Sequence, residues 1–189
     1  MVLEGSERQL VEACQRGERD AFRALFEAYK DRVYSIALRF TGDEALAMDL
    51  AQDTFLKLFS CIGDFRGDSA FSTWVYRLVV NSCLDHKRRA WRLIPIADEL
   101  FNVLRAPGDS LHSVLATEMR ERVQRAVEKL TPDLRMVIVL RYTEGLSYDQ
   151  IAEVLGCSAG TVASRLNRAH KVLERRLNHF MNTEGARHV

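Results

Sequence analysis

The chain has 189 residues, of which 47% are hydrophobic and 28% charged, a composition typical of folded globular proteins that excludes an intrinsically disordered chain. Its length allows one large or two small domains. The net charge is only +1, but basic residues cluster at 86–92 and again at 165–176. Two basic clusters favour two contacts with a polyanion, whereas the ordinary alternative is that each is a solvated helix face.

The N-terminus lacks the apolar stretch of a secretory signal, and no apolar run elsewhere is long enough to span a bilayer. We therefore expect a cytoplasmic protein without membrane insertion. The four cysteines, Cys14, Cys61, Cys83 and Cys157, form no CxxC pair and have no histidine at ligand spacing. This pattern predicts no metal site, no cofactor and no disulfide framework, but reduced and mostly buried thiols; redox sensing is the alternative.

Helical periodicity runs through long stretches of the chain, without sustained strand-type alternation. It predicts an all-α fold of two small helical domains joined by a linker. The domains are predicted at 1–92 and 113–180, with the linker at 93–112 and a C-terminal tail at 181–189. Glycines and prolines place the predicted helices near 6–16, 19–40, 43–62, 70–91, 113–130, 132–144, 147–155 and 159–180.

The helix predicted near 43–62 has an apolar side and a polar side when its residues are plotted at 100° intervals. The polar side holds Asp49, Gln52 and Asp53, with Leu56 in their midst. A single exposed leucine is common on any protein. A leucine ringed by two carboxylates and an amide is more typical of a small protein-docking patch with a polar rim.

The next helix follows the loop FRGDSA and is predicted to expose a stripe that includes Thr73, Arg77, Asn81 and Arg88. Aromatic, amide and arginine groups beside a glycine-containing loop can hold a base that has left the stack, while the basic end follows phosphates. For Phe65, Trp74 and Tyr76, core packing is an equally good interpretation. The predicted linker that follows is net acidic and contains Pro95 and Pro107, but its many apolar residues indicate that part of it docks on a surface.

The segment SYDQIAEVLGCSAGTVASRLNRAHKVL has the spacing of a helix-turn-helix. Ser147 and Gln150 form a capping-box pattern, Gly156 can take the positive φ of the turn, and Ser158 can cap the second helix. The outer face of that helix carries groups that can read bases or hold phosphates. They are Thr161, Ser164, Arg165, Asn167, Arg168 and Lys171. The alternative is an ordinary helical hairpin with a basic outside.

Together these segments resemble the extracytoplasmic-function sigma factors, the smallest members of the sigma-70 superfamily, over nearly the whole chain. The resemblance is carried by DRVYSIALRFTGD, DLAQDTFLKLFSCIGDFRGDSAFSTWVYRLVVNSCLD and LTPDLRMVIVLRYTEGLSYDQIAEVLGCSAGTVASRLNRAHKVL. It implies that residues 1–92 are sigma domain 2 and residues 113–180 sigma domain 4, with the linker threaded through polymerase channels. The implied function is binding of RNA polymerase core, promoter recognition and open-complex formation.

The resemblance also implies roles for individual residues. Binding to the β′ clamp helices of the polymerase core is implied for Asp49, Gln52, Asp53 and Leu56. Binding to the minus-ten element is implied for Phe65, Arg66, Ser69, Phe71, Arg77, Asn81, Lys87 and Arg88. Binding to the minus-thirty-five element, close to the β flap, is implied for Thr161, Ser164, Arg165, Asn167, Arg168 and Lys171.

One departure from the family concerns Ala163, where close relatives often carry a basic residue. A DNA contact expected at that position is therefore missing. The chain has no room for the extra domains of larger sigma factors, which fits restraint by a separate anti-sigma factor. When free, the protein is expected to be a monomer.

Two other classes of protein can be weighed against a sigma factor. A stand-alone helix-turn-helix regulator would explain residues 113–180 equally well, but leaves Leu56 and its acidic ring without a role, and predicts a dimer on a palindrome. An enzyme is disfavoured because the chain has no GxxxxGK[ST], HExxH, GxSxG or GxGxxG motif, and its five histidines have neither ligand nor triad spacing. No catalytic residue is predicted.

Overall fold

The computed structural model describes residues 4–93 and 122–185 of the chain. These residues contain helices and no strand, and the all-α fold predicted from periodicity is confirmed. The helices are α1 (Glu4–Gln15), α2 (Arg19–Thr41), α3 (Glu44–Cys61), a short 3-10 turn (Ile62–Asp64), α4 (Phe71–Leu93), α5 (122–128), α6 (Pro132–Tyr142), α7 (Tyr148–Leu155) and α8 (Ala159–Gly185).

The first four helices form one helical group in which α2 packs along α3 and both contact α4. Gly42 ends α2 in the left-handed conformation with φ 71°, which only glycine adopts without steric cost. The carboxylate of Asp43 then accepts a hydrogen bond from the Leu46 amide at 3.0 Å and caps α3. This tight junction aligns the apolar sides of α2 and α3 on each other. Their shared interior includes Leu25, Val33, Ile36, Leu58 and Val79, all fully buried.

Helices α6, α7 and α8 form the second group, in which α6 packs on α8 and α7 crosses both. Its interior contains Met136, Leu140, Ile151 and Leu166, each 2% exposed or less. The run from Arg135 to Leu140 is buried without a break. A helix buried on more than one side has this pattern, because it cannot present a polar stripe to water.

The second side of α6 is covered by the first helical group, since α6 contacts α2 and α4, and α7 contacts α4. Arg135 marks this junction. Its guanidinium donates hydrogen bonds to the carbonyls of Val127 at 3.1 Å and Phe40 at 2.6 Å, and it lies 5.5 Å from the centre of the Phe40 ring. Burial lowers the pKa of this guanidinium, yet arginine stays charged in proteins, so its carbonyl partners stabilise a buried cation.

The predicted helix boundaries that fall within the described residues agree with those observed to within a few residues. The exception is the last helix, which continues to Gly185 rather than ending near residue 180, so the first part of the predicted tail is helical. Except for Leu93, the predicted linker lies outside the described residues. Residues 113–121, the predicted start of the second domain, also lie outside them. Among the described helices, none is both long and apolar enough to cross a membrane.

The four cysteines differ in burial. Cys14 and Cys83 are buried, whereas Cys61 and Cys157 are partly exposed, and none of the four is in a disulfide. Burial raises the pKa of the Cys83 thiol to about 12, and burial followed by the charge of Glu18 raises that of Cys14. The pKa of Cys61 is also raised, chiefly by burial and then by Asp64. Raised values leave little thiolate at neutral pH, which disfavours redox sensing at these three positions.

Brief treatment of the native chain with iodoacetamide should therefore modify Cys157 first, Cys61 more slowly, and Cys14 and Cys83 hardly at all. The reason is that alkylation requires an accessible thiolate. Peptide mass spectrometry at several times gives the order directly. Modification of Cys83 as fast as that of Cys157 would contradict this description of the core; the unfolded chain, where all four thiols should react alike, is the control.

Candidate functional site

The outer face of α3 carries the predicted docking patch. Asp49, Gln52 and Asp53 are exposed, and Leu56 is 61% exposed in their midst. The opposite face of the helix is buried in the core through Ala51, Phe55 and Leu58, among others. The helix therefore cannot turn to hide Leu56 without exposing its own core residues.

An apolar groove of about 520 Å³ lies beside this patch, between α2 and α3. It is lined chiefly by Phe26, Met48, Phe55, Leu56 and Phe59. Met48 is 59% exposed and Phe26 38% exposed, which extends the apolar surface beyond Leu56. Neither Phe26 nor Met48 is predicted from the sequence as part of the site. Phe26 lies on α2, and only the packing of α2 against α3 brings it beside Leu56.

The loop at 65–71, whose last residue Phe71 begins α4, packs on a group of aromatic rings. The centre of the Phe65 ring lies 5.2 Å from that of Phe71 and 5.4 Å from that of Trp74. The centre of the Tyr29 ring lies 5.7 Å from that of Phe71. Phe71 is only 4% exposed and Tyr76 5%. Core packing is therefore the observed role of both side chains in this structure, while Phe65 and Trp74 are partly exposed.

This loop forms one side of an open cavity of about 680 Å³. Arg66, Ser69 and Phe71, all predicted to bind the minus-ten element, line it on the loop side. Helix α1 lines the other side with Glu7, Arg8, Val11, Glu12 and Gln15. No site residue is predicted on α1 from the sequence, because the composition of α1 does not distinguish it from any other amphipathic surface helix.

Helix α4 presents the polar stripe only in part as predicted. Asn81 and Arg88 are exposed and Lys87 is partly exposed, with Arg88 3.4 Å from the carboxylate of Asp85. The predicted exposure of Thr73 is wrong, because this side chain is 7% exposed. Thr73 lies in the first turn of α4, where Phe71 and Val75 on either side of it are also buried.

Arg77 of this stripe is held by the second helical group. Its Nε donates to the main-chain carbonyl of Glu153 at 3.1 Å, and its Nη2 lies 3.8 Å from the carboxylate of the same residue. Next to it, the Tyr76 hydroxyl donates to the Glu144 carboxylate at 3.1 Å. A predicted DNA-contacting side chain thus faces α7 in this arrangement.

The local geometry of α7 and α8 is that of the predicted helix-turn-helix. Ser147 and Gln150 form both hydrogen bonds of the capping box, and Gly156 has φ 62°. The Ser158 hydroxyl accepts from the Thr161 amide at 3.1 Å and begins α8. The inner side of α8 is buried through Val162, Leu166 and Ala169.

The outer face of α8 is polar and accessible. Ser164, Asn167, Arg168 and Lys171 are exposed, and Thr161 is partly exposed. Arg165 is partly exposed, with its Nη2 3.7 Å from the carboxylate of Asp133 on α6. This partner is 56% exposed, so the ion pair can be exchanged for DNA at little cost. Arg168 donates to the Ser164 hydroxyl at 3.1 Å.

Metal-binding geometry is not found in the described part of the chain, where no group of three or more His, Cys, Asp or Glu side chains is placed to hold an ion. The three exposed faces instead carry groups suited to binding other macromolecules. One face is apolar with an acidic rim, one combines a loop cavity with basic residues, and one has the form of a recognition helix.

Both helical groups match models of known protein families. Residues 25–93 match the model of Sigma-70 region 2, and residues 120–173 match that of Sigma-70, region 4. RNA polymerase sigma-H factor of Pseudomonas aeruginosa is 36% identical over 186 residues, covering 94% of this chain and 96% of the relative. ECF RNA polymerase sigma-E factor of Escherichia coli K12 is 35% identical over 183 residues, covering 91% and 94%.

Solved structures agree with these matches. CnrH in complex with the cytosolic domain of CnrY superposes with a TM-score of 0.68 at 28% identity, covering 91% of this chain and 97% of that one. The sigma factor RpoE of Bartonella quintana, in complex with the anti-sigma factor NepR, has the same fold, with a TM-score of 0.65 at 23% identity over 83% and 96% of the two chains.

These matches define the class as an RNA polymerase sigma factor of two helical domains. The chain belongs to the extracytoplasmic-function family of sigma factors. The family and function predicted from the motifs are thereby confirmed, and the stand-alone regulator is not favoured. Because the relatives are initiation factors rather than enzymes, the prediction that the chain is not an enzyme is confirmed as well.

Proposed function

We propose that this sigma factor uses its three exposed faces for three separate contacts during transcription initiation. The α3 face, with Asp49, Gln52, Asp53 and Leu56, binds the β′ clamp helices of core polymerase. The loop at 65–71 and the stripe of α4 bind the unpaired minus-ten element. The outer face of α8 reads the minus-thirty-five duplex near the β flap.

The observation that carries this proposal is the exposure of Leu56 at 61% within an acidic ring, on a helix whose opposite face is buried. A monomeric DNA-binding protein that acts alone has no use for an apolar groove edged with carboxylates. A protein that must dock on a larger assembly does, because apolar contact supplies affinity and the charged rim supplies orientation.

Two weak DNA contacts become strong when one polymerase holds them both, because the second contact then forms within a single complex. The α8 contact fixes register on the duplex. The loop contact favours an unpaired base over a paired one, and a preference of roughly a few kcal/mol per extruded base drives strand separation.

In the free chain, Arg77 contacts Glu153, so the two helical groups must separate before Arg77 reaches DNA. The side chains of Arg77 and Glu153 are 40% and 43% exposed, so this ion pair is weak and easily exchanged. Free factor should bind promoters poorly because nothing holds both DNA contacts in place at once, and core binding should favour the separated arrangement.

An anti-sigma factor is the second protein partner that we propose, with the apolar groove beside Leu56 as part of its contact. The similar protein CnrH is bound to the cytosolic domain of CnrY. An inhibitor that covered Met48 and Leu56 would also cover the polymerase-docking patch. We propose that the protein acts with both partners in the cytoplasm and is a monomer when free.

The proposal is tested by titrating fluorescently labelled protein with purified core polymerase and then with promoter DNA. We expect a one-to-one complex with core that binds promoter DNA, while the free protein binds the same DNA weakly. A stable dimer that bound a palindrome specifically without polymerase would instead favour a stand-alone regulator.

Substitution of Arg165 by alanine tests the reading role of α8. If Arg165 contacts a base, holoenzyme should lose about 1–3 kcal/mol of affinity for its own upstream element and much less for unrelated DNA. Competition binding with the two DNAs gives both numbers. Arg175→Ala, on the exposed end of the same helix, is the control. Equal loss on every sequence would mark Arg165 as a phosphate contact.

A further inference from the structure

The cavity next to the loop at 65–71 has a second wall that no role above explains. Helix α1 supplies Glu7, Arg8, Glu12 and Gln15 to it, opposite Arg66 and Ser69. The loop itself contains no regular structure between Phe65 and Ala70, and Gly67 has φ 81°. Such a segment has few internal hydrogen bonds to fix its shape, so its conformation depends on neighbouring groups.

Gln15 provides such a group. Its side-chain amide nitrogen donates to the main-chain carbonyl of Ile62 at 3.0 Å and to that of Phe65 at 3.0 Å. The Phe65 amide also donates to the Ile62 carbonyl at 3.2 Å. Both protons of the Gln15 amide are therefore used to hold the start of the loop, from a helix 47 residues or more earlier in the chain.

The geometry of the amide makes this a specific clamp. The Gln15 amide nitrogen carries two N–H donors and can therefore bind both carbonyls at once, which a side chain with a single N–H cannot do without sharing its proton. Gln15 is the last residue of α1 and is exposed, so its bonds are not needed to fill the core. These hydrogen bonds instead fix the position of Phe65 and thereby the positions of the side chains that line the cavity.

We infer that Gln15 is a positioning residue for capture of the extruded minus-ten base, acting through the loop rather than by contact with DNA. The inference rests on the proposed function of the loop at 65–71. A preformed pocket binds an extruded base without first ordering the loop, which increases affinity for unpaired DNA. Loss of the clamp should weaken base capture while core binding and upstream recognition stay intact.

The decisive variant is Gln15→Glu, which keeps the size of the side chain, removes both donors and places a carboxylate against two carbonyl oxygens. Gln15→Met removes the donors without adding charge. The matched control is Gln9→Glu, which makes the same charge change at an exposed position on the same helix. Far-ultraviolet circular dichroism and thermal unfolding establish that all variants are folded.

The measurement is binding of holoenzyme to promoter templates whose minus-ten region is single-stranded, with an abasic site introduced at each position in turn. For the unmodified chain, one position should show strong preference for an intact base over the abasic site. This preference should fall by roughly fivefold to tenfold in Gln15→Glu, less in Gln15→Met, and not in Gln9→Glu, as expected for two lost hydrogen bonds.

A merely structural role for Gln15 would lower binding to intact and abasic templates alike and leave the preference unchanged, and that result would overturn the inference. The same holds if both Gln15 variants keep the full preference. If the unmodified holoenzyme itself distinguishes no position, the proposed role of the loop fails, and the inference fails with it. These outcomes are separated because the unmodified chain and the variants are measured on the same templates.

Discussion

The double variant Asp53→Ala with Leu56→Ala should bind core polymerase roughly 30-fold to several-hundred-fold more weakly than the unmodified chain, a loss of about 2–4 kcal/mol. Leu56 is the apolar centre of the α3 face and Asp53 belongs to its polar rim. Removing both takes away buried apolar contact and a charge that orients the complex. Core titration with a fluorescent label measures the affinity.

Folding should not change, because both side chains are exposed and the buried face of α3 is untouched. Asp20→Ala, which removes another exposed carboxylate of the same helical group, is the control for loss of charge. Unchanged affinity of the double variant for core would contradict the docking assignment. If the double variant also lost thermal stability, its weaker binding to core would be explained by a folding defect rather than by a lost contact.

Arg135→Met should destabilise the chain by about 2–4 kcal/mol, the second large effect that we expect. The carbonyl of Phe40 loses a charge-assisted hydrogen bond of 2.6 Å, and that of Val127 loses one of 3.1 Å. Both carbonyls are in a buried part of the structure, where water does not replace the lost donor. Urea unfolding followed by circular dichroism gives the free energy of unfolding.

Arg175→Met is the matched control, since this arginine is exposed and should cost no more than about 0.5 kcal/mol. Replacing a buried charge by an apolar residue also removes its desolvation cost. If Arg135→Met were as stable as the unmodified chain, that cost would equal the value of the hydrogen bonds. Arg135 would then not stabilise the junction between the two helical groups.

Much of the fold could be predicted from local sequence signals because each signal has a local cause. Ser147, Gln150 and Gly156 specify a cap, a helix and a turn within ten residues, and all three features occur as predicted. The polar side of α3 follows equally from the helical period alone. Such features do not depend on which distant helix packs against them.

Features that depend on tertiary packing were not predicted. Arg135 lies in an apolar run, and its burial follows from α6 being covered on two sides, which no periodicity in one helix reveals. Phe26 lines the groove beside Leu56 only because α2 packs on α3. Gln15 reaches the loop from a helix 50 residues earlier in the chain than Phe65, and Thr73 is buried on a face of α4 that its helical period predicts to be exposed.

Run-off transcription with purified core polymerase on promoter-bearing genomic fragments, with and without this protein, tests the central claim most directly. We predict transcripts with discrete starts that appear only when the protein is added and that share upstream sequence elements. The absence of such transcripts, together with no binding of the protein to core, would contradict the proposed contacts of α3, the loop and α8.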